Sequence, residues 1–182
     1  MLHIITPNHI YVECVPDMPA PGAQWRYTVR ILVVSDTHRD RSALRDAILR
    51  QPEAEAVIHL GDGAEEAEEM RDKFPEKTFF LVRGNCDWSK RLPVEGLETF
   101  RGKNIFYTHG YTYNVKYGIE EALTAARAKK ADVLLFGHTH QPVAEYREGI
   151  YVMNPGSLHG AEGTYGIVDL TDAGIVTGIL KI

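Results

Sequence analysis

Leu134-Leu135-Phe136-Gly137-His138-Thr139-His140 is the stretch from which the fold of this chain can be read. An apolar run breaks at a glycine into two histidines one residue apart. The run has the composition of a buried strand, and the glycine is expected to let the chain turn sharply at its end. In extended or tightly turned backbone, residues i and i+2 point to the same side, so both imidazoles can face one site.

Working outward, four more stretches repeat this pattern. Ile31-Leu32-Val33-Val34 leads into Ser35-Asp36-Thr37-His38, and Val57-Ile58-His59-Leu60 into Gly61-Asp62. Thr78-Phe79-Phe80-Leu81-Val82 leads through Arg83 into Gly84-Asn85-Cys86-Asp87, and Ile105-Phe106-Tyr107-Thr108 into His109-Gly110. Each is a short β-branched or aromatic run ending in Asp, Asn or His. In α/β sheets, ligands gather just beyond the carboxyl ends of the strands. Five such ends are therefore expected to converge on one site.

Composition sets the outer bounds. With 182 residues, the chain suits one domain with a real core. Hydrophobic residues make up 44% and charged residues 25%, an ordinary globular balance. The formal net charge of −5 and the lack of a basic stripe argue against a long nucleic acid as partner. Cys14 and Cys86 are too few for a secreted disulfide framework. No stretch is long and apolar enough to span a membrane, and no leader pattern opens the chain. The expected location is the cytoplasm.

Residues 1–28 differ from the rest of the chain. Pro7, Pro16, Pro19 and Pro21 fall there, with only scraps of strand pattern such as His9-Ile10-Tyr11-Val12. The expectation is an extension, without chemistry of its own, that packs on the surface or pairs at a sheet edge. A translation start near Val29 is the alternative. The domain proper is expected over 29–182. After its first strand, Leu44, Ala47 and Ile48 mark a helix ended by Pro52. A second helix runs from Ala64 to about Phe74, with an acidic first turn that suits its dipole. A third runs from Gly118 to about Lys130, burying Ile119, Ala122, Leu123 and Ala126. Beyond His140 the pattern turns to strands at Val143–Tyr146, Ile150–Met153, Tyr165–Leu170 and Ile175–Leu180. This points to two sheets packed face to face with helices outside.

Taken singly, the polar strand ends have plainer readings. Asp62 precedes a helix and has Glu65 three residues on, as in a capping box. Gly84-Asn85-Cys86-Asp87 has turn composition, and His109 could be a hydrogen-bonded histidine at a strand end. Together they would need five coincidences, and a metal site accounts for all of them at once.

The set resembles the calcineurin-like metallophosphoesterase superfamily, whose signature is Asp-x-His, Gly-Asp, Gly-Asn-(His/Cys)-(Asp/Glu), His and Gly-His-x-His in this order. Asn85-Cys86-Asp87, Tyr113-Asn114-Val115-Lys116-Tyr117 and Asn154-Pro155-Gly156-Ser157 are similar to its small bacterial and archaeal phosphodiesterase branch. The resemblance implies a four-layer αββα sandwich, two mixed β-sheets flanked by helices, holding two divalent metals, most often manganese. It assigns Asp36, His38 and His140 to one metal, Asn85, His109 and His138 to the second, and Asp62 to both. Asp62, Asn85 and His109 would form the catalytic core.

The chemistry is coherent on its own terms. Two carboxylates against two divalent cations leave a surplus of positive charge that attracts phosphate. Paired metals roughly 3.5–4 Å apart can hold a bridging hydroxide for in-line attack on a phosphoester. Imidazole and carboxylate ligands suit Mn, Fe, Ni or Zn better than Mg or Ca. Arg39 and Lys116 are candidate substrate-phosphate contacts, and glycine commonly stands at the position of Arg39 in the branch. His59 is expected in the core or behind the ligands, and His159 at the surface or the mouth; His3 and His9 belong to the extension. Many relatives have histidine where Cys86 stands. A thiol with a pKa near 8.5 is a poorer proton donor, which favours diesters with good leaving groups. The expected activity is therefore hydrolysis of a small-molecule phosphodiester, with no membrane partner; a homo-oligomer is compatible with the sequence. The alternatives are a phosphomonoesterase or protein phosphatase on the same metals, and a non-catalytic scaffold like the eukaryotic retromer subunit of this fold.

Overall fold

The protein is described here by a computed structural model covering residues 5–6, 9–10, 27–88 and 91–182. In chain order the strands are β1 (Ile5–Thr6), β2 (His9–Ile10), β3 (Tyr27–Val34), β4 (Ala54–His59), β5 (Thr78–Leu81), β6 (Glu95–Phe100), β7 (Lys103–Thr108), β8 (Val133–Leu135), β9 (Val143–Arg147), β10 (Ile150–Asn154), β11 (Thr164–Thr171) and β12 (Gly174–Lys181). The helices are α1 (Arg41–Arg50), α2 (Ala64–Lys73) and α3 (Glu120–Ala128). One mixed sheet has the order β1-β2-β12-β11-β3-β4-β5 and the other β6-β7-β8-β10-β9.

Residue alternation builds the layers. Ile31 and Val33 of β3 join Ile105 and Tyr107 of β7, Val133 and Leu135 of β8, and Tyr151 and Met153 of β10 in a core between the sheets. Their neighbours Leu32 and Val34 face the other way, onto Leu44, Ala47 and Ile48 of α1 and Ala67 and Met70 of α2. Phe106, Leu134 and Val152 turn outward from the second sheet onto Ala122, Leu123 and Ala126 of α3. A period of two divides every buried strand between two cores, so its sequence reads as one continuous apolar run. The architecture is thus the expected αββα sandwich, α1 and α2 on one flank and α3 on the other.

The predicted strands and helices all form, with ends shifted by a few residues. β6 is an addition: Glu95-Gly96-Leu97-Glu98-Thr99-Phe100 is an edge strand, half exposed, and its glycine and glutamates disguise it in the sequence. Gly96 is required because a Cβ there would lie 2.1 Å from the Tyr107 ring on β7. Within the predicted N-terminal extension, β2 pairs with β12 at the sheet edge and β1 pairs with β2. His3, Cys14, the Tyr11-Val12 part of the strand scrap and the four prolines lie outside the described residues. Strands β3, β4 and β5 run parallel, as do β7 and β8, so their carboxyl ends open on one edge of the sandwich.

Candidate metal centre

The chain leaves three of these strand ends, those of β3, β4 and β8, through left-handed backbone. Asp36, His38, Arg39, Asp62, His138 and His140 have φ of 52°, 44°, 72°, 54°, 68° and 58°. Non-glycine residues pay roughly 1–3 kcal/mol for such backbone, and it collects at functional sites. Gly137 does not make the turn expected of it. A Cβ there would sit 2.0 Å from Ser35 Oγ, so glycine serves the close approach of two loops. The turning is done by His138 and His140.

These loops bring all seven predicted ligand positions together. Asp36 is fully buried; its Oδ2 accepts from Ser35 Oγ at 2.5 Å and from the His138 N–H at 3.0 Å. Its Oδ1 is buried with no hydrogen-bond partner. That oxygen lies 3.2 Å from His140 Nε2 and 3.9 Å from His38 Nε2, and the two nitrogens are 3.2 Å apart. Beside this set, His109 Nδ1 is 2.8 Å from the Leu60 carbonyl, which can only accept, so Nδ1 carries the proton. In the neutral ring Nε2 then offers a lone pair, 3.2 Å from Asn85 Oδ1, 3.2 Å from His138 Nδ1 and 3.5 Å from Asp62 Oδ2. Ligand atoms of Asp36, Asp62 and His109 fall within 4.8 Å of one another, as do those of His38, Asp62 and Cys86. Asp62 therefore stands between the two sets.

Crowded lone pairs repel one another, and an unpartnered buried carboxylate oxygen is costly. A cation at each set relieves both penalties, so the residues present fit divalent metals. The electrostatics agree. Burial opposes the charge of His109, but Asp62 and Asp36 outweigh it and raise its pKa. Burial likewise opposes ionisation of Asp62, yet its contact with His109 holds the carboxyl well below the usual range. Burial, His109 and Lys116 together lower His138.

The remaining candidates sit at the rim. A cavity of about 530 Å³ beside the site is lined by His38, Arg39, Asp62, Cys86 and the first turns of α2. Cys86 is exposed, its Sγ 3.2 Å from Asn85 Nδ2. Lost hydration and the Asp62 carboxylate push its thiol up to about 11. Arg39 and Lys116 are both exposed, and Lys116 is not part of the cavity wall. His159 is exposed beside His38, their ring centroids 6.2 Å apart.

Several supporting residues were invisible as such in the sequence. Asp62 does not cap α2: Gly63 holds the cap position without a side-chain bond, and the Asp87 carboxylate accepts from Gly63 and Ala64 instead. His59, buried as expected, accepts from the Gly61 N–H and meets Thr37 Oγ1 at 3.2 Å; Thr37 in turn donates to the buried Glu66 at 2.8 Å. Asn154 donates to Gly137 O and Thr139 Oγ1, and Ser157 donates to Asp36 O. The Asn154-Pro155-Gly156-Ser157 segment thus props the loops that carry Asp36 and His138. A strand ending in Asn-Pro-Gly-Ser was the available signal; Glu66 looked like any helix glutamate.

Two parallel strand clusters whose carboxyl ends share a histidine, aspartate and asparagine cluster define a phosphoesterase-type α/β sandwich. The chain belongs to the calcineurin-like phosphoesterase superfamily, whose domain model matches residues 29–173. It is 32% identical over 162 residues to the phosphodiesterase YfcE of Escherichia coli K12, covering 81% of this chain and 73% of that protein. A predicted phosphoesterase from Streptococcus pneumoniae superposes with a TM-score of 0.70 at 27% identity, covering 84% and 89% of the two chains. Vacuolar protein sorting 29 of Cryptosporidium parvum superposes with a TM-score of 0.68 at 16% identity over 86% and 99%, a likeness of fold alone. Among the described residues no helix is long and apolar enough to cross a membrane.

Proposed function

We propose that this chain is a metal-dependent phosphodiesterase acting on small phosphodiesters. The observation that carries the reading is the buried, unpartnered Asp36 Oδ1 facing the ring nitrogens of His38 and His140. Asp36, His38 and His140 would hold one divalent ion, and Asn85, His109 and His138 a second, with Asp62 common to both. When bound, the ions supply Lewis acidity toward a phosphoryl oxygen and a nucleophile drawn from water at neutral pH. Manganese is the first ion to test, with iron, nickel and zinc as alternatives.

The chain's own groups do the rest. The Leu60 carbonyl fixes the His109 tautomer, keeping Nε2 free to ligate. Arg39, on the cavity wall, would meet a non-bridging phosphate oxygen. The Cys86 thiol, on the same cavity wall, would donate a proton to a leaving group poorly, so substrates whose leaving group needs little protonation would be favoured. This supports diesters over monoesters, and phosphodiesterases among its relatives support it further.

The test is metal content after purification, then hydrolysis of bis(p-nitrophenyl) phosphate with added manganese. Two ions per chain and turnover that chelation abolishes are expected. Faster turnover of the monoester would favour a phosphatase. Ions bound without turnover of either would favour a non-catalytic scaffold.

A further inference from the structure

The Gly84-Asn85-Cys86-Asp87 turn ends in a carboxylate that the proposed reaction leaves unused. Asp87 Oδ2 accepts from the N–H groups of Asp62 at 2.8 Å and Gly84 at 2.7 Å. Its Oδ1 accepts from those of Gly63 at 3.0 Å and Ala64 at 2.9 Å. One side chain thus gathers four main-chain donors from two loops. The bond is returned, because Asp62 Oδ1 accepts from the Cys86 N–H at 2.7 Å.

No side chain separates these loops. A Cβ on Gly84 would lie 2.0 Å from Asp62 Oδ1, and one on Gly61 would lie 2.5 Å from Gly84 N. Capping α2 would require only Oδ1, where the positive end of the helix dipole favours a carboxylate. Oδ2 does something else: it ties the backbone that carries Asp62 to the residue just before Asn85. Hydrogen bonds to a carboxylate are about twice as strong as neutral ones, so this crosslink is stiff.

We propose that Asp87 is a positioning residue that sets the separation of the Asp62 carboxylate from the Asn85 amide. It thereby controls the affinity of the Asp62, Asn85, His109 and His138 set for a divalent ion. The inference rests on the two-metal reading of the proposed function. Asp87→Asn keeps the shape but leaves one acceptor oxygen and turns an NH2 group toward backbone donors.

The experiment is manganese binding by calorimetry to the full chain, with urea unfolding in chelator alongside. Wild type is expected to bind two ions, and Asp87→Asn to bind one of them about 10- to 100-fold more weakly. The control is Asp132→Asn at the far end of the sandwich, where Asp132 accepts from the Asn104 N–H at 2.8 Å and Lys103 Nζ at 3.2 Å. That variant should lose stability and keep both affinities. Should Asp87→Asn not fold, Asp87→Glu replaces it: the carboxylate is kept one methylene out of place, and the same single ion should weaken. A clearly larger loss at one ion than at the other, which shares only Asp62 with it, supports the proposal. Unchanged affinities, or equal weakening of both ions, mark a merely structural carboxylate and overturn it. A wild-type chain that binds no manganese overturns the metal reading, and this inference with it.

Discussion

At the amino ends of the strands, Lys77 Nζ is nearly shut off from water and donates to the carbonyl oxygens of Gln51, Pro52 and Ala54 at 3.3, 3.0 and 2.7 Å. Arg30 meets Asp169 there through two parallel bonds of 2.7 Å, and Gln51 links Arg30 to Tyr165. At the carboxyl ends, Asp36 Oδ1 is equally buried and has no donor, and imidazole nitrogens face one another at 3.2 Å. Both ends bury charged and polar groups. One closes them into networks in which the donors meet acceptors, which is what stability requires. The other leaves acceptors aimed at a common space, along backbone in a costly conformation. Such an arrangement is explained by what it can hold. Buried polarity is therefore no guide to function until its hydrogen bonds are counted.

The largest expected effect breaks the open end. Asp62→Asn removes the carboxylate proposed to serve both ions, and a neutral amide would not offset two cations that repel. Turnover of an aryl phosphodiester should fall by roughly 10²–10³-fold or more. Thermal unfolding in chelator should stay close to wild type, since α2 is capped by Asp87. Near wild-type turnover with both ions bound would return Asp62 to an ordinary loop residue.

A second substitution sharpens what the open end does with a proton. In Cys86→His, nitrophenolate release should change little, because that leaving group needs little protonation. Release of an alkoxide should improve, since a positioned general acid typically contributes about 10²–10⁴-fold. The ratio of kcat/KM for an alkyl to an aryl ester should therefore rise at least about tenfold. An unchanged ratio at equal metal occupancy would assign proton delivery elsewhere and make Cys86 filler.

Lys77→Met tests the closed end. Two buried carbonyls and the part-buried Pro52 carbonyl lose their donor while the aliphatic stem is kept, at a cost of about 1–3 kcal/mol in urea unfolding. Turnover per folded molecule should not change. A fall in activity at full folding would show that the two ends are coupled through the parallel strands.

The smallest effect is a matter of pH. Burial lowers the pKa of His59, the last residue of β4, whose ring bonds Gly61 and Thr37 behind the open end. The ring is neutral in the folded chain but charges near pH 6.5 when unfolded. The stability it contributes is therefore complete above about pH 6.5 and is lost as pH falls from there toward the folded pKa. In chelator, wild type should lose up to about 1.4 kcal/mol per pH unit more than His59→Gln below that point. Parallel stability curves for the two proteins would rule out a neutral buried His59.

Much of this was legible in the residue order. The alternation within Ile31–Val34, Ile105–Thr108 and Val133–Phe136 is local, and a period of two fixes which side chains share a face whatever else the chain does. Each of the seven clustered positions follows a run of that kind, so topology alone delivers it to one edge. What only the tertiary structure decided is how those ends are finished. The left-handed backbone of Asp36, Asp62, His138 and His140 lies where loops approach closely, as Gly137 approaches Ser35. Asp62 reads as a helix cap in sequence because Glu65 is nearby, yet Asp87, 25 residues downstream of it, reaches the same N–H groups across a turn. Hydrogen bonds of that range depend on distances that no local pattern encodes. A carboxylate's role is settled by which donors the fold brings within 3 Å of it.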